Sequence, residues 1–229
     1  MSLITLDFET FYSKSFSLTR FPTEEYIRSN EFEVIGVAVK VDDGKPVWYS
    51  GNREALRKTL LSFDWRNSTL LCHNTMFDGA ILKWFFGISP KFYLDTLCMA
   101  RAVHGVEAGG SLAALAERYE IGKKGTEVVE AIGKYLIDFT PEDLAQYGEY
   151  CKNDVQLTFD LFTRLATKFP ASELQLIDMT IRMFTHPKLI LDEPLLHERL
   201  EALKKEKNDL LASLKESMEC EDEEAVRKK

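Results

Sequence analysis

The segment LITLDFE, at residues 3–9, decides the fold that we predict for this chain. In a β-strand, successive side chains point to opposite faces, so Leu6 and Phe8 share one face. Asp7 and Glu9 share the other face, near the end of the same strand. We therefore predict a strand with an apolar face that ends in two neighbouring carboxylates.

The rest of the chain supplies more strands and then helices. β-branched and apolar runs, with an Asp-Gly turn between two of them, predict strands at residues 32–41, 46–49, 68–72 and 92–94. Helical spacing and capping residues predict helices at residues 52–62, 77–86, 95–103, 111–120, 140–169, 171–184 and 194–218. This order favours an α/β fold: an RNase H-like mixed five-stranded sheet flanked by helices, with a helical C-terminal extension.

Length and composition fit one folded α/β domain with a short appendage. The 229 residues carry a net charge of −8, which by itself argues against a nucleic-acid partner. Bound cations would reverse the local sign, so the charge does not decide the question. Without a signal-peptide pattern or a run of ~20 apolar residues, we expect a cytoplasmic protein with no membrane partner. The charged residues 219–229 are expected to be disordered.

Two more carboxylates stand where metal ligands would be presented. Asp78 follows the strand at 68–72, and Asp154 lies four residues after Tyr150, on the same face of a helix. Taken singly, Asp7 and Glu9 are typical of a solvated acidic pair, and Asp78 is typical of a helix N-terminus. Asp154 taken singly is typical of the polar face of an amphipathic helix. Together, four acids from three segments meet the needs of two divalent cations, Mg²⁺ or Mn²⁺, in phosphodiester cleavage. Tyr150 would then orient or help deprotonate the attacking water.

Three motifs carry a family resemblance. The segments LDFET (residues 6–10), HNTMFDGAIL (73–82) and YCKNDVQLT (150–158) resemble the exonuclease motifs of the DEDDy branch of the DnaQ-like superfamily. The chain is most similar to the proofreading domain of family A (DNA polymerase I-type) polymerases, particularly those of bacteriophages. The resemblance implies stepwise removal of nucleotides from a DNA 3′ end, single-stranded or frayed, with release of 5′-monophosphates.

The resemblance also implies roles for the acids and a division of the chain. Asp7, Glu9 and Asp154 would hold the first metal, Asp7 and Asp78 the second, and Tyr150 would position the nucleophile. Residues 1–170 would form the exonuclease domain, and residues 171–229 a helical extension that resembles the start of a polymerase thumb. Palm and fingers motifs are missing from this sequence, so we expect no polymerase activity, and a polymerase module, fused or separate, as partner. A phage-encoded protein would act in the host cytoplasm.

Five other residues have two interpretations each. Asn74 is either a turn residue or a contact to the sugar or phosphate of a terminal nucleotide. Phe11 and Tyr12 either stack on the terminal base or are ordinary buried or surface aromatics. Lys123 and Lys124 either steer DNA or belong to a solvated loop.

Two alternative functions remain open at this point. An RNase D-like 3′→5′ exoribonuclease has the same four acids and tyrosine, so the motifs do not exclude it. A non-catalytic DNA-binding or structural module of a polymerase assembly, with a vestigial site, is the second alternative. The presence of all five motif residues argues against such decay.

Overall fold

The computed structural model describes residues 2–125 and 131–218, and a five-stranded mixed sheet lies at its centre. The strands are β1 (Ser2–Thr10), β2 (Val34–Val41), β3 (Val47–Ser50), β4 (Ser68–Cys72) and β5 (Phe92–Asp95). Their order is β3-β2-β1-β4-β5, with β2 antiparallel to both neighbours and β1, β4 and β5 parallel to one another. The predicted fold class and all five predicted strands are confirmed.

Eight α-helices surround the sheet or follow it within the described residues. They are α1 (Thr23–Arg28), α2 (Arg53–Leu60), α3 (Thr75–Ala80), α4 (Thr96–His104), α5 (Leu112–Arg118), α6 (Pro141–Ala166), α7 (Ala171–Thr185) and α8 (Glu193–Met218). The predicted caps are present: the Ser111 and Thr140 hydroxyls accept hydrogen bonds from backbone N–H groups of α5 and α6. Because β4 is buried along its whole length, helices must cover both faces of the sheet.

Two helices differ from the prediction. Helix α1 was not predicted, because its six residues are too few to show a helical period, although Tyr26 and Ile27 are buried. Helix α3 begins at Thr75 rather than at residue 77, and it continues as a π-helical turn, Ile81–Phe85. The early start comes from a tertiary contact, since the Thr75 hydroxyl donates to the backbone oxygen of Leu94 at 2.5 Å.

Helix α7 belongs to the same compact unit as the sheet. The chain divides between His186 and Pro187, whereas the predicted boundary was at residue 170. The backbone N–H of Tyr93 on β5 donates to Asp178 on α7 at 2.8 Å, and Ile181 on α7 is fully buried. The compact unit is therefore larger than the predicted exonuclease domain, while the limits of the functional domains stay a prediction.

The second unit begins at Pro187, and the structure describes it as far as residue 218. Helix α8 fills most of that part, and an Asp192 carboxylate oxygen accepts from the Leu195 N–H at 3.1 Å near its start. The tail at 219–229 that we expect to be disordered lies outside the described residues. Among the helices described, none has the length and apolar character needed to cross a lipid bilayer.

Candidate active site

The carboxyl end of β1 brings three acids together. β1 pairs with β4 only as far as Thr5, so the following backbone of β1 has no strand partner on that side. The Phe8 N–H instead donates to Asp78 Oδ1 at 3.0 Å, which places the buried Asp78 beside Asp7 and Glu9. The register of β1 with β2 shifts between Glu9 and Thr10, an irregularity of the β-bulge type that is common beside active sites.

Helix α6 carries the fourth acid and the tyrosine on one face. Tyr147, Tyr150, Cys151 and Asp154 have the spacing i, i+3, i+4 and i+7, which places them on the same side of a helix. The Tyr147 hydroxyl donates to Glu9 Oε2 at 2.6 Å. Cys151 Sγ lies 3.3 Å from the Asp7 backbone oxygen and 3.7 Å from Asp7 Oδ2. This face of α6 therefore contacts both acids of β1 and also contributes Asp154 to the cluster.

Sequence reasoning identified Tyr150 and Asp154 on this face and missed Tyr147 and Cys151. The same helical spacing rule would have found both, because Tyr147 lies two turns and Cys151 one turn before Asp154.

Two glycines allow α6 to lie close to the sheet. The indole of Trp48 on β3 lies between Gly36 on β2 and Gly148 on α6. A Cβ at Gly36 would lie 2.3 Å from the Trp48 ring, and a Cβ at Gly148 would lie 2.5 Å from it. These distances are far below van der Waals contact, so any larger residue would push α6 or Trp48 away.

Burial and mutual repulsion raise the pKa of the clustered acids. Burial, followed by the charge of Asp154, raises the pKa of Asp7 from 3.8 to about 7. Burial, followed by the charge of Asp7, raises the pKa of Glu9 from 4.5 to about 8. The pKa of Asp78 is also raised well above its ordinary value, first by burial and then by Asp7. Packing four carboxylates together is therefore costly without a compensating positive charge.

Asp154 has one paired and one unpaired oxygen. Its Oδ2 lies 2.7 Å from Lys124 Nζ, in the loop that follows α5. Its Oδ1 is buried and has no hydrogen-bond partner. Burial raises the pKa of Asp154, while the nearby Lys124 and Tyr150 side chains lower it. A buried carboxylate oxygen without a donor is a position that a cation would satisfy.

The residues present fit hard divalent cations. Ligand atoms of Asp7, Glu9 and Cys151 lie within 4.8 Å of one another, and Asp78 and Asp154 are near enough for their charges to interact with that of Asp7. Mg²⁺ and Mn²⁺ prefer carboxylate oxygens over a thiol. We therefore assign the four acids as the candidate ligands and Cys151 as a hydrogen-bond donor to Asp7.

Tyr150 lies at the edge of this cluster. Its phenol lies close enough to Asp154 to affect the pKa of that carboxyl group, and the ammonium group of Lys124 lies 5.2 Å from the centre of its ring. Burial raises the pKa of Tyr150 above 10, so the phenol is protonated at neutral pH. This geometry suits a group that orients a water by hydrogen bonding rather than one that deprotonates it.

The remaining predicted site residues lie in different environments. Phe11 is 5% exposed and stacks on Tyr135 with ring centres 3.8 Å apart, so the geometry does not support stacking on a base. Tyr12 is partly exposed and packs against the same small cluster as Tyr150. The side chain of Asn74 is exposed, and its backbone adopts φ of 72° at the start of α3. Lys123 is exposed, whereas Lys124 is drawn into the acid cluster.

The sheet order and the acids at the end of β1 define an RNase H-like 3′-5′ exonuclease fold of the DEDD type. The model of the 3′-5′ exonuclease family matches residues 26–170, more than half of the chain. The chain therefore belongs to the 3′-5′ exonuclease family. The matched stretch includes Asp78, Tyr150 and Asp154 and begins after Asp7 and Glu9.

Solved structures with a similar fold are nucleases. RNase D from Trypanosoma brucei, in complex with RNA U12, has a TM-score of 0.60 at 17% identity, covering 83% of this chain and 66% of the RNase D chain. This chain thus spans slightly less than two thirds of that protein. NrnC from Brucella melitensis bound to pGG has a TM-score of 0.57 at 16% identity, covering 80% of this chain and 81% of NrnC.

A second structure of NrnC contains bound Mg²⁺, with a TM-score of 0.54 at 14% identity over 80% of this chain and 81% of NrnC. At these identities the likeness shows a shared fold. No curated protein sequence matches this chain at a significant level.

Proposed function

We propose that this chain is a divalent-metal-dependent enzyme that removes nucleotides one at a time from the 3′ end of single-stranded nucleic acid, releasing 5′-monophosphates. The observation that carries the proposal is the convergence of Asp7, Glu9, Asp78, Asp154 and Tyr150 on one edge of the sheet. Family membership supports the reaction class.

Each acid has a role in this proposal. Asp7, Glu9 and Asp154 would hold one cation, and Asp7 and Asp78 a second. Two divalent cations, when bound, activate a water and stabilise the attacking and leaving oxygens. We propose that the Tyr150 phenol orients that water by hydrogen bonding.

The groups that surround the acids keep them in place. The Tyr147 hydroxyl fixes Glu9, the Cys151 thiol fixes Asp7, and the Phe8 N–H fixes Asp78. Holding ligands in advance lowers the cost of ordering them during the reaction. Asn74 is exposed at the start of α3, the helix of Asp78, and Tyr12 is partly exposed just after β1, the strand of Asp7 and Glu9. We propose both residues as contacts for the terminal nucleotide.

RNA or a short oligonucleotide is the substrate that the comparisons favour. The solved neighbours are RNase D with RNA U12 and NrnC with pGG, which supports the RNase D-like alternative. DNA proofreading beside a polymerase module is a second candidate. It is supported by the motif resemblance at residues 6–10, 73–82 and 150–158, and by a family model whose name refers to DNA polymerase A.

Matched substrates test the choice. Single-stranded RNA and DNA of identical base sequence would be compared by kcat/KM with Mg²⁺ and with Mn²⁺. Faster cleavage of RNA would support the RNase D-like function, and faster cleavage of DNA would support proofreading. If neither substrate released mononucleotides with either metal, the proposed exonuclease activity would be refuted, and a non-catalytic binding module would be favoured.

A further inference from the structure

The loop after α5 places a lysine inside the acid cluster. Lys124 Nζ lies 2.7 Å from Asp154 Oδ2, and the side chain of Lys124 is 32% exposed against 6% for that of Asp154. The same ammonium group lies over the ring of Tyr150. Lys124 therefore holds together the two residues of α6 to which we assign cation binding and water positioning.

Glycines on both sides allow the loop to reach α6. Gly122 has φ of +144°, a conformation that favours glycine, and a Cβ there would lie 2.9 Å from Leu157 Cδ2. A Cβ at Gly125 would lie 3.3 Å from the Tyr150 ring. Lys123, between them, is exposed, and it is its backbone oxygen that accepts a hydrogen bond from Asn153. The two neighbouring lysines thus differ sharply in environment.

Lys124 and a divalent cation would bind the same carboxylate. Asp154 has two oxygens, of which Oδ2 is paired with Lys124 and Oδ1 is unpaired. A divalent cation at Asp154 would lie within a few ångströms of the ammonium group, where two positive charges repel strongly in a poorly hydrated site. Tight binding of the cation therefore requires the ion pair between Lys124 and Asp154 to break.

We propose that Lys124 is a positioning residue that holds Asp154 and Tyr150 in place in the metal-free protein and competes with the cation for Asp154. This inference rests on the proposed metal-dependent function. Cation binding would then release Lys124 and its loop from α6, so that metal loading and the position of residues 123–125 are linked.

Metal affinity and stability test the inference without relying on cleavage. The full chain and its Lys124→Met variant would be titrated with Mn²⁺, and Tm would be measured in EDTA and in saturating Mn²⁺. We expect the variant to bind Mn²⁺ at least about 5-fold more tightly, as for a coupling between two competing ligands. Its Tm should fall in EDTA, and the difference from wild type should shrink in Mn²⁺.

Two further variants separate competition from packing. Lys123→Met removes an adjacent exposed charge and should match wild type in both measurements. Lys124→Arg keeps the positive charge and should keep the wild-type Mn²⁺ affinity. If Lys124→Arg bound Mn²⁺ as tightly as Lys124→Met, the positive charge would not be what weakens cation binding, and the inference would be overturned.

Failure of the inference differs from failure of the proposed function. The inference fails if Lys124→Met binds Mn²⁺ no more tightly than wild type and loses the same Tm in EDTA and in Mn²⁺. Lys124 would then stabilise the fold without competing with the cation. Absence of Mn²⁺ binding by the wild-type protein would instead refute the metal site itself.

Discussion

Two tyrosines on one face of α6 lie in different surroundings. The Tyr147 hydroxyl donates to Glu9 at 2.6 Å, whereas Tyr150 lies beside Asp154 with the Lys124 ammonium group over its ring. Tyr147 is buried, and Tyr150 is partly exposed at the edge of the acid cluster. In our account Tyr147 keeps a metal ligand in place, and Tyr150 contacts the reacting water.

Removal of the Tyr150 hydroxyl should lower the rate of the chemical step. We expect Tyr150→Phe to reduce kcat by about 10²-fold, the usual effect of losing one acid–base or orienting group, with little change in Mn²⁺ affinity. Tyr147→Phe is the matched control and should weaken Mn²⁺ binding, because Glu9 loses its donor. Steady-state kinetics and Mn²⁺ titration measure both, and the reverse pattern would exchange the two roles.

The acids of β1 should make the metal-free protein less stable as the pH rises. Asp7 and Glu9 have folded pKa values of about 7 and about 8, against 3.8 and 4.5 ordinarily. The folded protein thus binds these protons more tightly, so their contribution to stability is complete below about pH 4 and is lost as the pH rises to about 8.

The Asp7→Asn variant isolates this effect. In EDTA, the free energy of unfolding of wild type should fall relative to the variant between pH 5 and pH 8, by on the order of 2 kcal/mol. Addition of Mn²⁺ at pH 8 should raise the free energy of unfolding of the wild type and leave that of the variant unchanged. Parallel pH curves for the two proteins in EDTA would show that Asp7 has an ordinary pKa.

Single residues differ in how far the sequence predicts them. Strand alternation and helical spacing, which are local, pair Asp7 with Glu9 and Tyr150 with Asp154, whereas the grouping of these acids with Asp78 follows from the three motifs taken together. The ion pair of Lys124 joins residues 30 positions apart across a loop, and no local pattern encodes it. The burial of Phe11 likewise depends on Tyr135, which is distant in sequence.

At the scale of elements, the position of α6 depends on its close contact with β2 and β3 at Trp48. We expect Gly148→Ala to cost about 1–3 kcal/mol of stability, the usual effect of overpacking, despite the better helix propensity of alanine. A shift of α6 would also move Asp154 and Tyr150 away from β1, and a displacement of ~1 Å can cost about 10²-fold in rate. Chemical denaturation and kcat measure the two effects.

Two further substitutions test whether contact with Trp48 causes the destabilisation by Gly148→Ala. Glu149→Ala, next to Gly148 but exposed, should change neither stability nor kcat appreciably. Trp48→Phe should reduce the cost of Gly148→Ala in a double-mutant cycle, because the smaller ring leaves room for the added methyl group. Additive effects would locate the strain elsewhere.

Strands were predicted better than helix boundaries, for a physical reason. Runs such as those at 32–41 and 68–72 carry the strand signal in their own composition. The start of α3 depends on the hydrogen bond from Thr75 to Leu94, and the short α1 is stabilised by burial of Tyr26 and Ile27. Such tertiary contacts are not encoded in local sequence.

At the scale of the whole molecule, the location of α7 sets the shortest chain that should fold. A protein ending at residue 186 keeps α7 on β5 and α3, with the Trp84 indole N–H donating to the Thr185 backbone oxygen at 2.9 Å. We expect it to retain a cooperative unfolding transition and metal-dependent cleavage close to that of the full chain.

A protein ending at residue 170 is the matched comparison. It lacks Ile181, which is fully buried, and leaves β5 uncovered, so we expect aggregation or loss of cooperative unfolding. Circular dichroism, thermal unfolding and mononucleotide release distinguish the two chains. Equal stability of both would place the domain boundary at residue 170, as the sequence predicts.

The most direct test of the account is a time course on a 5′-labelled single-stranded oligonucleotide with metal-stripped protein. With Mg²⁺ or Mn²⁺ the wild-type protein should shorten the labelled strand one nucleotide at a time from its 3′ end. EDTA should stop the reaction, and Asp154→Asn, folded by circular dichroism, should be inactive. Internal cuts, immediate loss of the 5′ label as a mononucleotide, or near wild-type rates for Asp154→Asn would contradict the proposed site.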